Sequence, residues 1–482
     1  MGKKLFLAIT LLGAYLVGCS DSGSSSSSSP ESSVETSLDS AHYTVVIYGT
    51  AEGQMDSVIE DAYKKVQPLL KNGDVRILVS YKYGVEYDKD APEHFTGNYA
   101  KPGQLVTFEL TEDLDLETIK KTAKMAGDSV LMSDEGLLSS VLDYAADSLP
   151  AENYILLFYG HGGGFDYDND YPKDKRAKLV MKREQGQAVS AILYDEATTD
   201  YENGIQDGLS MYEIKREVEN SAIKHLKAIF FHDCLMGNME FLSEIYTLTD
   251  FIIASEHELA ADEMLIVDFI KELTKEKNGF QEAVESFLDN TRPHWKIEYK
   301  EEGSRNGDLM LLKASEIESF FPIFKKIAKR LTALSKDTAK VPYIQYATAN
   351  TYVVDPDLLF YDALDFANKL AVVTEDSVFV ASAKELEKAF DKLILKKIET
   401  HYSEEQKLDS YSLSVSMFFH DLYNDESVWE YTNKEAYEYT KFHKETGWGN
   451  WLDVNTLYSY SIDEEDETED GEEDEEEDAE EE

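Results

Sequence analysis

Short apolar runs that alternate with helical stripes constrain the fold of this chain more than any other feature. Six such runs, rich in Val, Ile, Leu, Tyr and Phe, lie at residues 44–48, 75–81, 105–110, 154–159, 226–231 and 251–254. Continuous apolar runs of this length are typical of strands that are buried on both faces. Segments with apolar residues at helical spacing separate them at 55–70, 116–125, 137–149, 210–218 and 238–248. The alternation predicts an α/β fold in which a mainly parallel sheet lies between two layers of helices.

The second half of the chain has a more helical pattern. Helical stripes at 265–275, 280–288, 317–334, 359–370 and 383–398 are interrupted by strand-like runs at 309–312 and 412–419. We therefore expect a core over residues 42–260 and a C-terminal α+β subdomain over residues 261–460. The last segment, 461–482, cannot bury apolar surface and is predicted to be a disordered acidic tail.

The charge of the chain restricts its partners. Its 96 acidic and 46 basic residues give a net charge of −50, and 17 of the last 20 residues are acidic. Removing those 17 still leaves −33, so the body of the protein is acidic as well. An acidic protein repels nucleic acid, which we therefore do not expect as a partner.

The first residues have the pattern of an export signal. Lys3 and Lys4 precede an apolar run at 5–17, and Gly18 leads into Cys19. Residues 16–19 resemble a bacterial lipobox, which implies a signal peptide at 1–18 and lipidation of Cys19. The Ser-rich segment 19–41 would then be a tether, and the protein would be anchored by lipid in the bacterial cell envelope, at the outer membrane or cell surface. An ordinary signal peptide with an incidental cysteine is the alternative.

Two chemically reactive side chains follow predicted strands. His161 opens a His-Gly-Gly-Gly segment directly after the run at 154–159, and Cys234 follows the run at 226–231. Functional groups of parallel sheets gather at the carboxyl ends of the strands. A histidine and a thiol at that edge are the residues of a cysteine hydrolase.

The expected roles follow from the chemistry of acyl transfer. Cys234 precedes a predicted helix, whose N-terminus favours a thiolate, and an adjacent His161 can donate a proton to the leaving amine. The backbone N–H groups of Gly162 and Cys234 are the candidate donors of an oxyanion hole. This chemistry requires no cofactor.

Other interpretations of these residues remain open. A cysteine at a strand end is often inert packing, and the glycine-rich segment can be only a turn. Zinc could use His161, His232, Asp233 and Cys234, although no second cysteine or spaced histidine pair completes the set. A papain-like order would need a histidine after Cys234, and those available at positions 257, 294, 401, 420 and 443 lie outside glycine-rich strand ends.

Several motifs resemble the clostripain family of cysteine peptidases, which are relatives of caspases, legumain and gingipains. They lie at residues 154–164, 192–195, 233–240, 252–255 and 446–448, so that the resemblance runs from about residue 43 to 455. It implies a caspase-like α/β/α sandwich, a catalytic dyad of His161 and Cys234, and endopeptidase activity on protein or peptide substrates.

The sequence departs from the family beside the cysteine. Family members usually carry an aspartate two residues before the cysteine, where it helps to select a basic residue before the scissile bond. His232 occupies that position here, and Asp233 follows it. Adjacent side chains of a strand point to opposite faces, so Asp233 is not expected to face the same way as residue 232. The candidates for the specificity pocket are therefore His232, Asp233 and Asp195, or another acid.

The resemblance also implies activation by cleavage between the histidine and the cysteine, and calcium dependence in some members. The segment 165–190 contains six basic residues suited to such processing, Lys173, Lys175, Arg176, Lys178, Lys182 and Arg183. A solvated surface loop is the other interpretation of this segment. Calcium needs several oxygen ligands at one point, and this acidic chain offers many carboxylates from which such a set could come. A catalytically inactive surface lipoprotein that keeps the fold and acts as a binding module is the alternative function.

Overall fold

The computed structural model of the chain describes residues 40–50, 54–82, 105–116, 132–165, 192–200, 205–259, 263–275, 279–298, 307–355, 359–400, 412–417, 420–421 and 434–457. Cys19, the tail at 461–482 and the six basic residues between 173 and 183 lie outside this description.

A central sheet organises the described part of the chain. Its eight strands are β1 (Ala41–Thr50), β2 (Val75–Lys82), β3 (Leu105–Leu110), β4 (Ala151–Tyr159), β7 (Leu226–His232), β8 (Thr249–Ala254), β9 (Gly307–Lys313) and β12 (Ile394–Thr400). They lie in the order β12-β9-β8-β7-β4-β1-β2-β3. The neighbouring strands β2, β1, β4, β7 and β8 are parallel to one another. The edge strand β3 runs antiparallel to β2, and β9 runs antiparallel to both β8 and β12. The predicted mainly parallel sheet is confirmed.

Helices cover both faces of the sheet. The helices before the last third of the chain are α1 (Gln54–Val66), α2 (Leu137–Ser148), α3 (Met211–Asn220), α4 (Met239–Ile245), α5 (Glu263–Thr274) and α6 (Phe280–Glu298). Alternation along the strands divides the apolar side chains between the faces: Ile155 and Leu157 pack with residues of α1, α5 and α6, whereas Leu156 and Phe158 pack with residues of α2, α3 and α4. This is the three-layer α/β/α arrangement that the alternating pattern predicts.

The remaining elements are more helical, as expected. They include α7 (Phe321–Leu334), α8 (Val341–Ala349), α9 (Ala363–Thr374), α10 (Ser377–Leu393), α11 (Lys434–Tyr439), α12 (Lys441–Thr446) and α13 (Trp448–Leu452). Short strands β10 (Val353–Asp355), β11 (Phe360–Asp362) and β13 (Ser414–Ser416) form a separate sheet, and β5 (Ile192–Asp200) pairs with β6 (Ile205–Leu209). The two-residue strands β14 (His420–Asp421) and β15 (Thr456–Leu457) also pair. In the described part of the chain, 3₁₀ helices lie at Gln67–Asn72, Tyr246–Leu248 and Ala314–Phe320.

The part of the chain beyond residue 261 also completes the central sheet. β9 pairs with β8, and β12 pairs with β9, so the sheet continues across the expected boundary between core and subdomain. The predicted helix at 383–398 is wrong at its end, because α10 stops at Leu393 and β12 begins at Ile394. Pairing with β9 outweighs the helical pattern of these residues, which is a tertiary effect that local sequence does not contain.

No helix in the described ranges has the length and apolar character needed to cross a membrane.

Candidate active site

The sheet places the histidine and cysteine loops side by side. β4 and β7 are parallel neighbours, and Tyr159 at the end of β4 pairs with His232 at the end of β7. His161 and Cys234 each come two residues after this pair, so both follow the carboxyl ends of adjacent strands. The topology thus brings together the two residues that the sequence singled out.

The glycines after His161 lie directly against the cysteine loop. A Cβ atom on Gly162 would lie 2.5 Å from the carbonyl oxygen of Cys234 and 2.9 Å from the Cβ atom of Asp233. Gly164 has a φ of +58°, and a Cβ atom there would lie 2.7 Å from the carbonyl oxygen of Leu235. The backbones of the two loops are therefore in contact, and only glycine fits at the point of closest approach.

Cys234 is a half-buried cysteine at a sharp turn, and it forms no disulfide with the described residues. The next residue, Leu235, has a φ of +61°, a conformation that costs a residue with a side chain of the order of 1 kcal/mol or more. The backbone N–H of Leu259 donates to the sulfur at 3.3 Å, and the Leu259 carbonyl oxygen lies 3.6 Å from it. The sulfur is thus held between the end of β7 and the segment that follows β8.

The segment after β8 also fixes the backbone on either side of the turn. The N–H of Leu235 donates to the carbonyl oxygen of His257 at 3.0 Å, and the N–H of Gly237 donates to that of Ser255 at 2.5 Å. We call residues 255–257 the β8 turn. It supports the backbone of the cysteine loop, by which we mean the residues from Asp233 to Asn238. Asn238 is the N-cap of α4.

His232 is the last residue of β7, and Asp233 follows it in the turn before Cys234. The ring of His232 is buried and contacts Tyr159 at a centroid distance of 5.0 Å. The carboxyl group of Asp233 is also buried, and neither of its oxygens has a hydrogen-bond partner among the described residues. Burial raises the pKa of Asp233 well above its usual value, which favours the neutral acid.

The other sequence candidates are less defined. Asp195 lies on β5, where its backbone pairs with Asp207, and the structure does not describe its side chain.

Within the described ranges, the three-residue group whose metal-binding atoms converge consists of Glu256, His257 and Asp308. That group contains none of the four zinc candidates, namely His161, His232, Asp233 and Cys234.

A buried charged cluster supports the β8 turn. Asp308, at the start of β9, accepts hydrogen bonds at one oxygen from the Ser255 hydroxyl at 2.8 Å and from the N–H groups of Glu256 at 2.9 Å and His257 at 3.1 Å. Nδ1 of His257 lies 3.0 Å from the same oxygen. The ammonium of Lys397, on β12, lies 3.4 Å from Asp308 and 3.6 Å from Glu256. Sequence reasoning missed this cluster, although the motif at 252–255 was noted.

Asp308 and Lys397 form a buried ion pair within this cluster, in which each charge compensates the other. Burial by itself would raise the pKa of Asp308, but the Lys397 ammonium and the hydrogen bonds from His257 and Ser255 outweigh it and lower that pKa. Burial raises the pKa of Glu256 well above its usual value, and the Asp362 carboxylate adds to the effect. The group does not fit calcium. Ca²⁺ requires six to eight oxygen ligands, whereas this group offers two carboxyl groups and one imidazole, and the Lys397 ammonium already pairs with Asp308.

The C-terminal segment holds the helix that follows the cysteine. Glu240, in the first turn of α4, is fully buried and accepts from the Tyr437 hydroxyl at 2.6 Å and the Ser416 N–H at 3.0 Å. Ser414 N–H donates to the carbonyl oxygen of Gly237 at 3.0 Å. Residues from the end of the chain therefore complete the surroundings of the cysteine loop, a second feature that sequence reasoning missed.

A separate cleft of about 410 Å³ lies between α3 and α12. Its lining includes Tyr212, Arg216 and Lys441, and it contains none of the candidate catalytic or specificity residues.

Comparison with known proteins identifies the class of this protein. The α/β/α fold with its mainly parallel eight-stranded sheet, together with the family match, defines a cysteine peptidase. The family model described as Clostripain family matches residues 72–454, so the chain belongs to the clostripain family. It is a cysteine endopeptidase of the clostripain type.

Solved structures share the fold. A secreted cysteine protease from Bacteroides thetaiotaomicron, in complex with an irreversible peptide inhibitor, is 13% identical with a TM-score of 0.54, and the match covers 85% of this chain and 99% of that chain. An inactive zymogen from Parabacteroides distasonis is 13% identical with a TM-score of 0.51, and the match covers 85% and 99% of the two chains. No curated protein matches the chain.

Proposed function

We propose that Cys234 and His161 form the catalytic dyad of this endopeptidase. The observation that carries the proposal is the contact of their two loops at the carboxyl ends of β4 and β7, where Gly162 lies against the Cys234 carbonyl group. The half-buried position of the thiol suits a nucleophile better than a packing residue.

The proposed reaction is acyl transfer in two steps. The Cys234 thiolate attacks the peptide carbonyl carbon, and the C–N bond breaks as His161 donates a proton to the leaving amine, which leaves a thioester. His161 then takes a proton from water, whose oxygen attacks the thioester and releases the acid and the thiolate. The N–H groups of Gly162 and Cys234 would hold the oxyanion in both steps.

Selective alkylation tests this assignment. Iodoacetamide should label Cys234 rapidly at neutral pH, and His161→Ala should slow labelling by roughly tenfold or more, because the thiolate is the form that reacts and a neighbouring imidazolium favours it. His225→Ala, which alters a surface histidine paired with Asp250, is the matched control. Equal labelling of all three proteins would contradict the dyad, and absence of labelling would favour the binding-module alternative.

The substrates would be proteins or peptides. A preference for a basic residue before the scissile bond needs an exposed anion, and the buried neutral carboxyl of Asp233 does not supply one. Asp195 is the remaining candidate from the sequence. Cleavage of a peptide library by the wild type and by Asp195→Asn would identify the preferred residue and show whether Asp195 selects it.

We propose two further steps of maturation. Cleavage within 165–190, after one of its six basic residues, would release the loop that joins the histidine and cysteine strands, and intact mass measurement would detect the two fragments. Lipidation of Cys19 would hold the protein in the cell envelope, and Cys19→Ser should move it from the membrane fraction to the soluble fraction.

The dyad supplies both the nucleophile and the proton donor, so we propose that the chemistry needs no metal ion. Activity should survive prolonged chelation with EDTA. A loss that calcium restores would show a structural or regulatory site elsewhere, since the Glu256, His257 and Asp308 group is neutralised by Lys397.

A further inference from the structure

We infer that Asp308 is a positioning residue for the catalytic cysteine, although it lies on a strand distant in sequence. The inference rests on the proposed role of Cys234 as the nucleophile. It concerns how the loop that carries Cys234 is held, and it names a residue that does not touch the substrate.

The first step of the argument is the connection from Asp308 to the β8 turn. One oxygen of Asp308 accepts hydrogen bonds from the Ser255 side chain and from the backbone N–H groups of Glu256 and His257. Together with Nδ1 of His257, which lies 3.0 Å from the same oxygen, these donors restrain the turn, and all of these groups are buried.

The second step is the connection from the β8 turn to the cysteine loop. The carbonyl oxygens of Ser255 and His257 accept from Gly237 and Leu235, which flank Cys234 on its C-terminal side. A Cβ atom on Gly237 would lie 2.9 Å from both the N and Cα atoms of Glu256, so the two backbones are also in direct contact. A shift of the turn therefore shifts the loop.

The third step concerns the sulfur itself. Leu259, two residues after the β8 turn, donates its N–H to the Cys234 sulfur. The orientation of this donor depends on the same turn. Because a hydrogen bond to a charged group stabilises that charged form, loss of this donor disfavours the thiolate.

The role of Lys397 is to keep Asp308 charged. Its side chain is fully buried and lies 3.4 Å from the free oxygen of the Asp308 carboxylate. The carboxylate therefore keeps its negative charge inside the protein, and a charged acceptor holds the three donors more strongly than a neutral one.

A pair of double variants tests the inference in the full chain carrying Cys19→Ser, in which Cys234 is the only cysteine. Asp308→Leu with Lys397→Met removes both charges and the acceptor oxygen. Asp308→Asn with Lys397→Met removes the same charges but keeps one acceptor oxygen. Thr44→Val is the control for general destabilisation, since it removes a buried hydrogen bond to Leu149 at the opposite end of the sheet.

Amide hydrogen exchange of peptides spanning 234–240 and 255–259 is the first readout, and it does not depend on catalysis. We expect exchange to accelerate roughly tenfold or more in the Leu variant, and to stay within about threefold of wild type in the Asn variant and in Thr44→Val. Equal exchange in the Leu variant and the wild type, or equal acceleration in the Leu and Asn variants, would overturn the inference.

The pH profile of Cys234 alkylation is the second readout. Its midpoint should move to higher pH in the Leu variant alone. If the wild type shows no selective alkylation, the proposed nucleophile fails, while the exchange data still decide whether Asp308 positions the loop. Should the Leu variant not fold, Ser255→Ala removes one donor to Asp308 and should accelerate exchange in the same peptides by a smaller factor; unchanged exchange would count against Asp308.

Discussion

A methyl group on Gly162 would lie 2.5 Å from the carbonyl oxygen of Cys234, which is closer than nonbonded carbon and oxygen atoms approach. The two loops that carry the proposed dyad can therefore meet only while residue 162 has no side chain. This relationship gives a direct test of whether their contact matters for activity.

Gly162→Ala should separate the loops and reduce peptide hydrolysis by roughly a hundredfold, since a displacement of about 1 Å at reacting groups has that effect. Gly73→Ala is the control, because Gly73 has a φ of +71° and open space around it. That substitution should lower stability by about 1 kcal/mol without changing hydrolysis per folded molecule. Steady-state kinetics on both variants would decide, and full activity in Gly162→Ala would contradict the loop contact.

Lys397→Met should destabilise the protein strongly, because it leaves the Asp308 charge buried without its cation. Removal of one partner of a buried ion pair costs about 3–5 kcal/mol. The adjacent Lys396, which pairs with Asp289 at the surface, offers a matched control whose replacement by Met should cost about 0–1 kcal/mol. Urea denaturation measures both, and equal losses in the two variants would show that burial of Lys397 is unimportant.

The buried carboxyl group of Glu240 should make the free energy of unfolding depend on pH. Burial raises its pKa from 4.5 to about 7, although hydrogen bonds from Tyr437 and Ser416 act in the opposite direction. The folded state therefore binds the Glu240 proton more tightly than the unfolded state. Its contribution to the free energy of unfolding is fully present below pH 4.5 and falls by about 3 kcal/mol as the pH rises through 7.

Glu240→Gln should remove this pH slope, because glutamine does not titrate and its side-chain oxygen can still accept from Tyr437. Glu385→Gln, at a surface pair with Lys326, changes the net charge equally and should leave the slope unchanged. Unfolding free energies at pH 5 and pH 8 provide the comparison. An identical slope in the wild type and in Glu240→Gln would show that Glu240 does not titrate in this range.

Asp233→Asn should raise the free energy of unfolding at pH 8 relative to the wild type. Burial raises the pKa of Asp233, so the folded state disfavours the anion. The stability that the protonated acid contributes is therefore lost as the pH rises above the pKa of Asp233 in the unfolded state. The gain should disappear in acid. Asp61→Asn, at a mostly exposed position, is the control for the change in net charge. A lower stability of Asp233→Asn at pH 8 would indicate that the carboxylate has a favourable partner.

The sequence predicted the parts of this molecule that local pattern determines. Runs such as 154–159 and 226–231 are apolar throughout because both faces of their strands are covered, and His161 and Cys234 follow them directly. The Asp308 and Lys397 pair could not be predicted, since an acid and a lysine far apart in the sequence look like ordinary surface charges until β9 and β12 join the sheet. The same holds for Glu240 and Tyr437, which meet only through tertiary packing.

The bond from Ser414 to Gly237 spans 177 positions of the chain. During translation, His161 and Cys234 are therefore synthesised long before the residues that complete the cysteine loop. Tyr437 is synthesised later still. A nascent chain that has emerged only to residue 400 has the strands of the central sheet but lacks the contacts of Ser414, Ser416 and Tyr437. The order of synthesis thus places completion of the site after Tyr437 has been made, long after the two proposed catalytic residues.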